Sequence, residues 1–158
     1  MRIGITGHRG LPIDTERWVI AAIREAVNAY PATDLVGVSC IADGPDAWFA
    51  QAILEHGGSL EIVVPAEKYR ASLPDWHHAV YDDLVRRASE VHETGLTDSD
   101  SNAHMVGSEV LVGLVDELLA VWDGQPARGY GGTADVVTYA ERTGAPVRVL
   151  WPAGATRG

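Results

Sequence analysis

The sequence predicts an α/β fold: one doubly wound, Rossmann-like domain with a mainly parallel sheet flanked by helices on both faces. Three observations lead there. Short apolar runs alternate with segments of helical spacing, no tight hairpin signal joins neighbouring strands, and glycine-rich turns directly follow several of the apolar runs. With 158 residues, 46% hydrophobic and 22% charged, the chain can fill one core and is short for two. The domain is expected to span residues 1–152, with the Gly/Ala-containing end, 153–158, as a frayed tail.

Arg2-Ile3-Gly4-Ile5-Thr6 reads as the first strand, ending in the loop Gly7-His8-Arg9-Gly10. A glycine-bounded loop after strand one is a common ligand site. Arg9 in it suits bidentate contact with a phosphate, or pairing with a carboxylate. Trp18, Val19, Ala22, Ile23, Ala26 and Val27 recur at helical spacing, so a helix capped by Asp14 or Thr15 is expected to run to Tyr30-Pro31. Asp34 to Cys40 is the second strand, and Ala42-Asp43-Gly44-Pro45-Asp46 leads into a helix ending at His56-Gly57-Gly58. Pro45 and Asp46 suit a first helical turn, whereas Asp43 is less easily explained as a cap. Cys40 reads as a small buried residue at a strand end rather than a nucleophile.

Leu60 to Pro65 is the third strand, and the spacing from Asp75 to Ala88 predicts a helix. His77 and His78 read as surface residues, since neighbours on a helix point about 100° apart and no ligand cluster accompanies them; no metal is expected. Glu90 to Thr94 is a short fourth strand. Gly95 to Asn102 is a polar loop expected to be mobile, and Ala103 to Val112 is a largely buried helix in which Glu109 faces solvent. Leu118 to Trp122 is the fifth strand. After it, Asp123-Gly124 and Gly131-Gly132-Thr133 precede a helix from Ala134 to Arg142, and Pro146 to Trp151 is the last strand. Gly131-Gly132-Thr133 should sit at a helix N-terminus, where unpaired amides and the helix dipole attract anions; the alternative is an ordinary turn with Thr133 as cap.

The net charge of −10 argues against partners bound by neutralising a phosphate backbone, so no nucleic acid is expected, while a small phosphate ester is still allowed. A single cysteine excludes an intramolecular disulfide. Met1 leads straight into a strand without signal-peptide architecture, and a cytoplasmic protein is expected. No apolar run is long enough to span a bilayer, so no membrane association is expected.

The segments Thr6-Gly7-His8-Arg9, Ala42-Asp43-Gly44-Pro45-Asp46, and Ala120-Val121-Trp122-Asp123-Gly124 with Gly131-Gly132-Thr133-Ala134-Asp135 resemble, in order and spacing, those of the SLOG superfamily. That superfamily of Rossmann-like nucleotide-binding proteins includes the LOG phosphoribohydrolases, molybdenum cofactor carrier proteins and DprA-like proteins. The resemblance implies a pocket for a nucleotide or nucleotide derivative, its phosphate held by the backbone of Gly131, Gly132 and Thr133, and an assembly of identical chains. It covers nearly the whole chain but departs from LOG enzymes at one position. Aligning Gly132-Thr133 with the GT of their PGGxGTxxE motif puts Val136 where the catalytic glutamate belongs, with Asp135 one position early.

Three readings follow. The first is a nucleotide-binding sensor or carrier without a cofactor, using Gly7, His8, Arg9, Asp43, Gly44, Asp123, Gly124, Gly131, Gly132 and Thr133, with Asp43 or Asp123 accepting from ribose hydroxyls. The second is a phosphoribohydrolase with Glu109 or Asp135 as acid or base and Asp123 steadying the transition state. The third is an interaction domain whose glycines serve turns alone.

Overall fold

A computed structural model describes residues 1–158. Six strands form one parallel sheet: β1 (Arg2–Gly7), β2 (Val36–Ser39), β3 (Ser59–Val64), β4 (Glu90–Glu93), β5 (Glu117–Val121) and β6 (Val147–Val149). They lie in the order β4-β3-β2-β1-β5-β6. The chain starts at the centre, winds outward through β4, then crosses back to lay β5 against the other side of β1. Successive connections therefore leave β1 and β5 in opposite directions, and a crevice opens above their carboxyl ends, the place where open α/β sheets bind ligands.

Parallel strands carry helices on both faces, which is why they read as nearly continuous apolar runs. The connecting helices are α1 (Ile13–Asn28), α2 (Pro45–His56), the single turn α3 (Tyr69–Ser72), α4 (His78–Arg87), α5 (Ser101–Gly113) and α6 (Thr133–Arg142). Helices α1, α2 and α4 pack side by side, as do α5 and α6. One buried cluster joins Val19, Ile23 and Val27 of α1 and Phe49 and Ile53 of α2 to Ile3, Ile5 and Leu119. The other joins Met105 and Leu111 of α5 and Val136 and Ala140 of α6 to Val38, Ile62 and Leu118. Each fully buried Leu, Ile or Phe in these clusters contributes about 1.5–3 kcal/mol relative to exposure.

Several local expectations change. Helix α1 begins at Ile13 with Pro12 at its N-cap and no side-chain cap; Asp14 lies in the first turn and Thr15 is buried. The expected helix over 75–88 divides into a 3-10 turn, Asp75–His77, and α4. His77 is not a surface residue: it is 2% exposed, and its Nε2 lies 2.9 Å from the Ile41 carbonyl oxygen. His78 is half-buried with Nε2 2.7 Å from the Arg70 carbonyl. The polar loop before α5 is tied down by Glu67 N–H to Leu96 O and Lys68 N–H to Thr97 O. Its Asp100 caps α5, accepting from the Ala103 amide at 2.8 Å.

The chain's end lies against the strand carboxyl ends. Within residues 153–158, Arg157 is tucked between His8, Asp123 and Pro126, and the Gly158 carbonyl accepts from Arg128 at 2.6 Å. No helix is long and apolar enough to cross a membrane.

Candidate functional site

A cleft of about 290 Å³ opens above the carboxyl ends of β1 and β5. It follows from the topology: β1 delivers Thr6, Gly7, His8 and Arg9, the turn after β2 delivers Ala42 and Asp46, and the long connection after β5 delivers Arg128 and the glycines before α6. Helix α5 closes one side with His104 and Ser108.

The glycine segment is shaped by backbone constraints. Gly131 has φ +84°, and a Cβ there would lie 2.8 Å from the Ser101 carbonyl oxygen, so only glycine fits both the conformation and the space. Its N–H donates to Asp135 Oδ2 at 2.9 Å, and the Gly132 N–H donates to the Gly129 carbonyl. Asp135 therefore works inward, closing the loop onto the first turn of α6. Gly132 is the N-cap and Thr133 the first helical residue. The Thr133 and Ala134 amides make no intramolecular hydrogen bond, and the Thr133 hydroxyl is also unpartnered. These are the donors an anion would use, aided by the helix dipole.

Three arginines surround this terminus in a chain of net charge −10. Arg9 Nε and Nη2 donate to Asp43 Oδ1 at 3.0 and 2.6 Å, which leaves Nη1 unengaged. Arg128 is exposed and donates only to the Gly158 carbonyl. Arg157, 12% exposed at its side chain, approaches Asp123 Oδ2 at 3.2 Å through Nε and donates to Pro126 O through Nη2. Its Nη1 lies 3.3 Å from His8 Nδ1. Burial, with Arg157 nearby, lowers the His8 pKa, and its Nε2 lies 3.1 Å from both Asp123 Oδ1 and the Asp123 amide nitrogen. Asp123 Oδ1 accepts from the Gln125 amide at 3.0 Å. Its two oxygens are thus occupied by the network that anchors the chain's end to the cleft.

At the cleft floor stands Asp46. In sequence it looked like an ordinary first-turn carboxylate. The structure packs it between Ala42, Cys40 and Arg9, with one side open to the cleft. Oδ2 accepts a long bond of 3.4 Å from the Ala42 amide, and Oδ1 has no partner. Burial pushes its pKa up to about 7. The turn beneath is strained, because Ile41 is a β-branched residue at φ +49°, held by Ser39 Oγ at its amide and His77 at its carbonyl. Strain of this kind gathers at binding and catalytic sites.

The expected ligand residues separate into three groups. Gly7, His8, Arg9, Gly131, Gly132 and Thr133 line the cleft. Asp43 and Gly44 line an adjoining depression on the far side of the Arg9–Asp43 pair. Asp123 and Gly124 stand behind His8 and outside the lining. Of the catalytic candidates, Asp135 is tied to Gly131 and Glu109 lies away from the cleft. Asp46, Tyr69, His104, Ser108, Arg128 and Arg157 line it without having been singled out. Only Asp46 had a legible signal, its place in the Asp-Gly-Pro-Asp turn after strand two.

Elsewhere, Glu61, Glu90 and His92 bring ligand atoms within 4.8 Å of one another. Both Glu61 oxygens already accept from the Arg2 guanidinium at 2.7 and 2.9 Å. Arg2 supplies the positive charge that a metal ion would bring.

No protein-family model matches the chain, and no curated protein is detectably similar to it. Solved structures share its fold. DNA processing protein A from Helicobacter pylori, described for its single-stranded DNA binding mode, superposes with TM-score 0.68 at 16% identity over 94% of this chain and 64% of that one. The Streptococcus pneumoniae DprA gives 0.66 at 18% identity over 94% and 49%. The molybdenum cofactor carrier protein of Chlamydomonas reinhardtii gives 0.56 at 19% over 94% and 74%. The chain thus spans about two thirds and about half of the two DNA processing proteins. The chain shares the α/β fold of these proteins, which are of the kinds its sequence motifs resemble. One expectation is corrected: net charge does not exclude nucleic acid, because the fold is shared with a protein that binds single-stranded DNA. Overall charge fails as a criterion because binding depends on the local field, and here Arg9, Arg128 and Arg157 meet at the cleft.

Proposed function

We propose that the cleft binds a nucleotide or nucleotide derivative, with a phosphate at the N-terminus of α6. The observation that carries this reading is the meeting of the free Thr133 amide and hydroxyl with Arg9 and Arg128 at the switch point of the sheet. Neutral ligands have little use for that concentration of donors and cations, whereas a phosphate ester satisfies both. Gly131 and Gly132 act by shaping the loop, since their own amides are internally bonded. His8, Asp123 and Arg157 form the wall behind the phosphate position.

A second reading, hydrolysis of an N-glycosidic bond, is favoured by Asp46. A carboxyl with a pKa of about 7 and one free oxygen facing the cleft suits general acid chemistry near neutral pH. In that reading Asp46 takes the role first assigned to Glu109 or Asp135.

Calorimetric titration with ribose 5-phosphate, nucleoside monophosphates and a short single-stranded oligonucleotide, with chromatography for released base, tests both. Binding without base release is expected of a carrier or sensor, and release that disappears in Asp46→Asn is expected of the hydrolase. If no phosphate-bearing probe binds the folded protein, the nucleotide reading is wrong.

A further inference from the structure

Beside the cleft lies a second depression of about 260 Å³, lined by Leu11, Trp48 and Trp76 together with Glu16, Asp43 and Gln51. We propose that it is a base-binding subsite, taking the amino-bearing nucleobase of the nucleotide whose phosphate occupies the cleft; it rests on the phosphate reading above.

Trp76 is the first reason. It is 73% exposed, more than any other large apolar side chain in the protein. Nothing in the fold covers its indole, and an exposed indole is a platform on which a planar base stacks. Its position is nevertheless fixed. Pro74 precedes the turn, and the adjacent His77 is buried, bonded to the Ile41 carbonyl and edge-on to the Trp76 ring at 5.8 Å. Ile41 leads directly into Ala42-Asp43, so the His77 contact ties the segment that carries the platform to the one that carries the carboxylate.

The charge of the depression is the second reason. It has no lysine or arginine in its lining, in contrast to the cleft next door. Asp43 uses Oδ1 for Arg9 and makes no hydrogen bond through Oδ2, which is not sealed from solvent. Together with Glu16 and the Gln51 carbonyl it offers acceptors, so the depression repels phosphate and fits an exocyclic amino group, which presents two N–H donors from one nitrogen. Adenine, cytosine and guanine each have an exocyclic amino group, and hypoxanthine has none.

Continuity is the third. The Arg9–Asp43 pair is the partition between the two cavities, with Arg9 on the cleft side and Asp43 on the other. A nucleotide laid across it meets cations with its phosphate and acceptors with its base.

Calorimetry on the wild type, Trp76→Ala and Trp76→Phe, with AMP, CMP, GMP, IMP and ribose 5-phosphate as probes, tests the subsite. The amino-bearing nucleotides are expected to bind about tenfold more tightly than ribose 5-phosphate, the order of one stacked base. Trp76→Ala should remove that gain and leave ribose 5-phosphate unchanged, Trp76→Phe should keep most of it, and IMP should bind more weakly than AMP. Circular dichroism should show the same fold in both variants, since Trp76 is exposed. Equal affinities for AMP and ribose 5-phosphate, or an unchanged AMP affinity in Trp76→Ala, would overturn the subsite while leaving the phosphate site standing. Loss of oligonucleotide binding in Trp76→Ala with AMP unaffected would assign the indole to single-stranded nucleic acid and likewise overturn the proposal. Absence of ribose 5-phosphate binding to the wild type would remove both.

Discussion

Replacing Asp46 with asparagine isolates the energy stored at the cleft floor. The native carboxyl titrates at about 7 instead of its ordinary 3.8, because burial disfavours its charged form. Between those values the folded protein holds a proton that the unfolded chain has lost. Stability must therefore fall as pH rises through this window. Three pH units correspond to about 4 kcal/mol, at about 1.4 kcal/mol each, which is a large part of the stability of an ordinary domain. The asparagine side chain keeps an acceptor for the Ala42 amide and loses the titration. Urea unfolding followed by circular dichroism, from about pH 4 to about pH 8, should find the two proteins similar at the acid end. The variant should then gain on the wild type with rising pH, becoming more stable by roughly 3–4 kcal/mol at the alkaline end. Titrating groups that do not interact with Asp46 cancel in the difference. A difference that stays flat across the range would refute the reasoning, because it would mean that Asp46 ionises as freely in the fold as in the open chain.

The same proton bears on binding: phosphate affinity should weaken as pH rises through about 7 in the wild type, where Asp46 becomes anionic, and lose that step in Asp46→Asn, as read by titration calorimetry. Gly131→Ala, with φ +84° and a Cβ 2.8 Å from the Ser101 carbonyl, should cost more than about 1 kcal/mol and abolish phosphate binding. Gly124→Ala, with φ +80° but open space, should cost about 1 kcal/mol and leave binding intact; similar binding losses in both would refute the loop geometry. Arg128→Ala should weaken ribose 5-phosphate binding about five- to tenfold with an unchanged melting temperature, since a charge-assisted bond contributes on the order of 1 kcal/mol or more. Finally, Arg2→Ala leaves the buried Glu61 carboxylate with His92 as its remaining partner and should cost roughly 2–3 kcal/mol near neutral pH. The Arg2 hydrogen bonds hold the Glu61 pKa at about 2, so its contribution is present above the ordinary carboxylate range and lost on acidification; equal acid unfolding of wild type and variant would contradict this.

Periodicity and turn chemistry determine the alternation of strands and helices here. Apolar runs such as Leu118 to Val121 can only be buried on both faces, and Gly131 and Pro45 mark turns through constraints that act within a few residues. Those signals are local, so the parallel sheet and the collection of glycine turns along one edge were legible. The strand order was not: nothing in the sequence states that β5 pairs with β1, yet that pairing creates the crevice and brings Arg9 to the N-terminus of α6. Side-chain roles depended on the same long-range approach. Asp135 and Asp123 looked like free carboxylates; Asp135 accepts from Gly131, and Asp123 accepts from the Gln125 amide, lies against His8 and forms an ion pair with Arg157. His77 looked like a surface residue and is buried beneath Ile41. Asp46 looked like a helix-dipole partner until packing around it raised its pKa, and Arg157 lay in what read as a tail. A residue's backbone preference is set by its neighbours in sequence, but its desolvation and its partners are set by atoms far away along the chain, and only the folded chain brings those together.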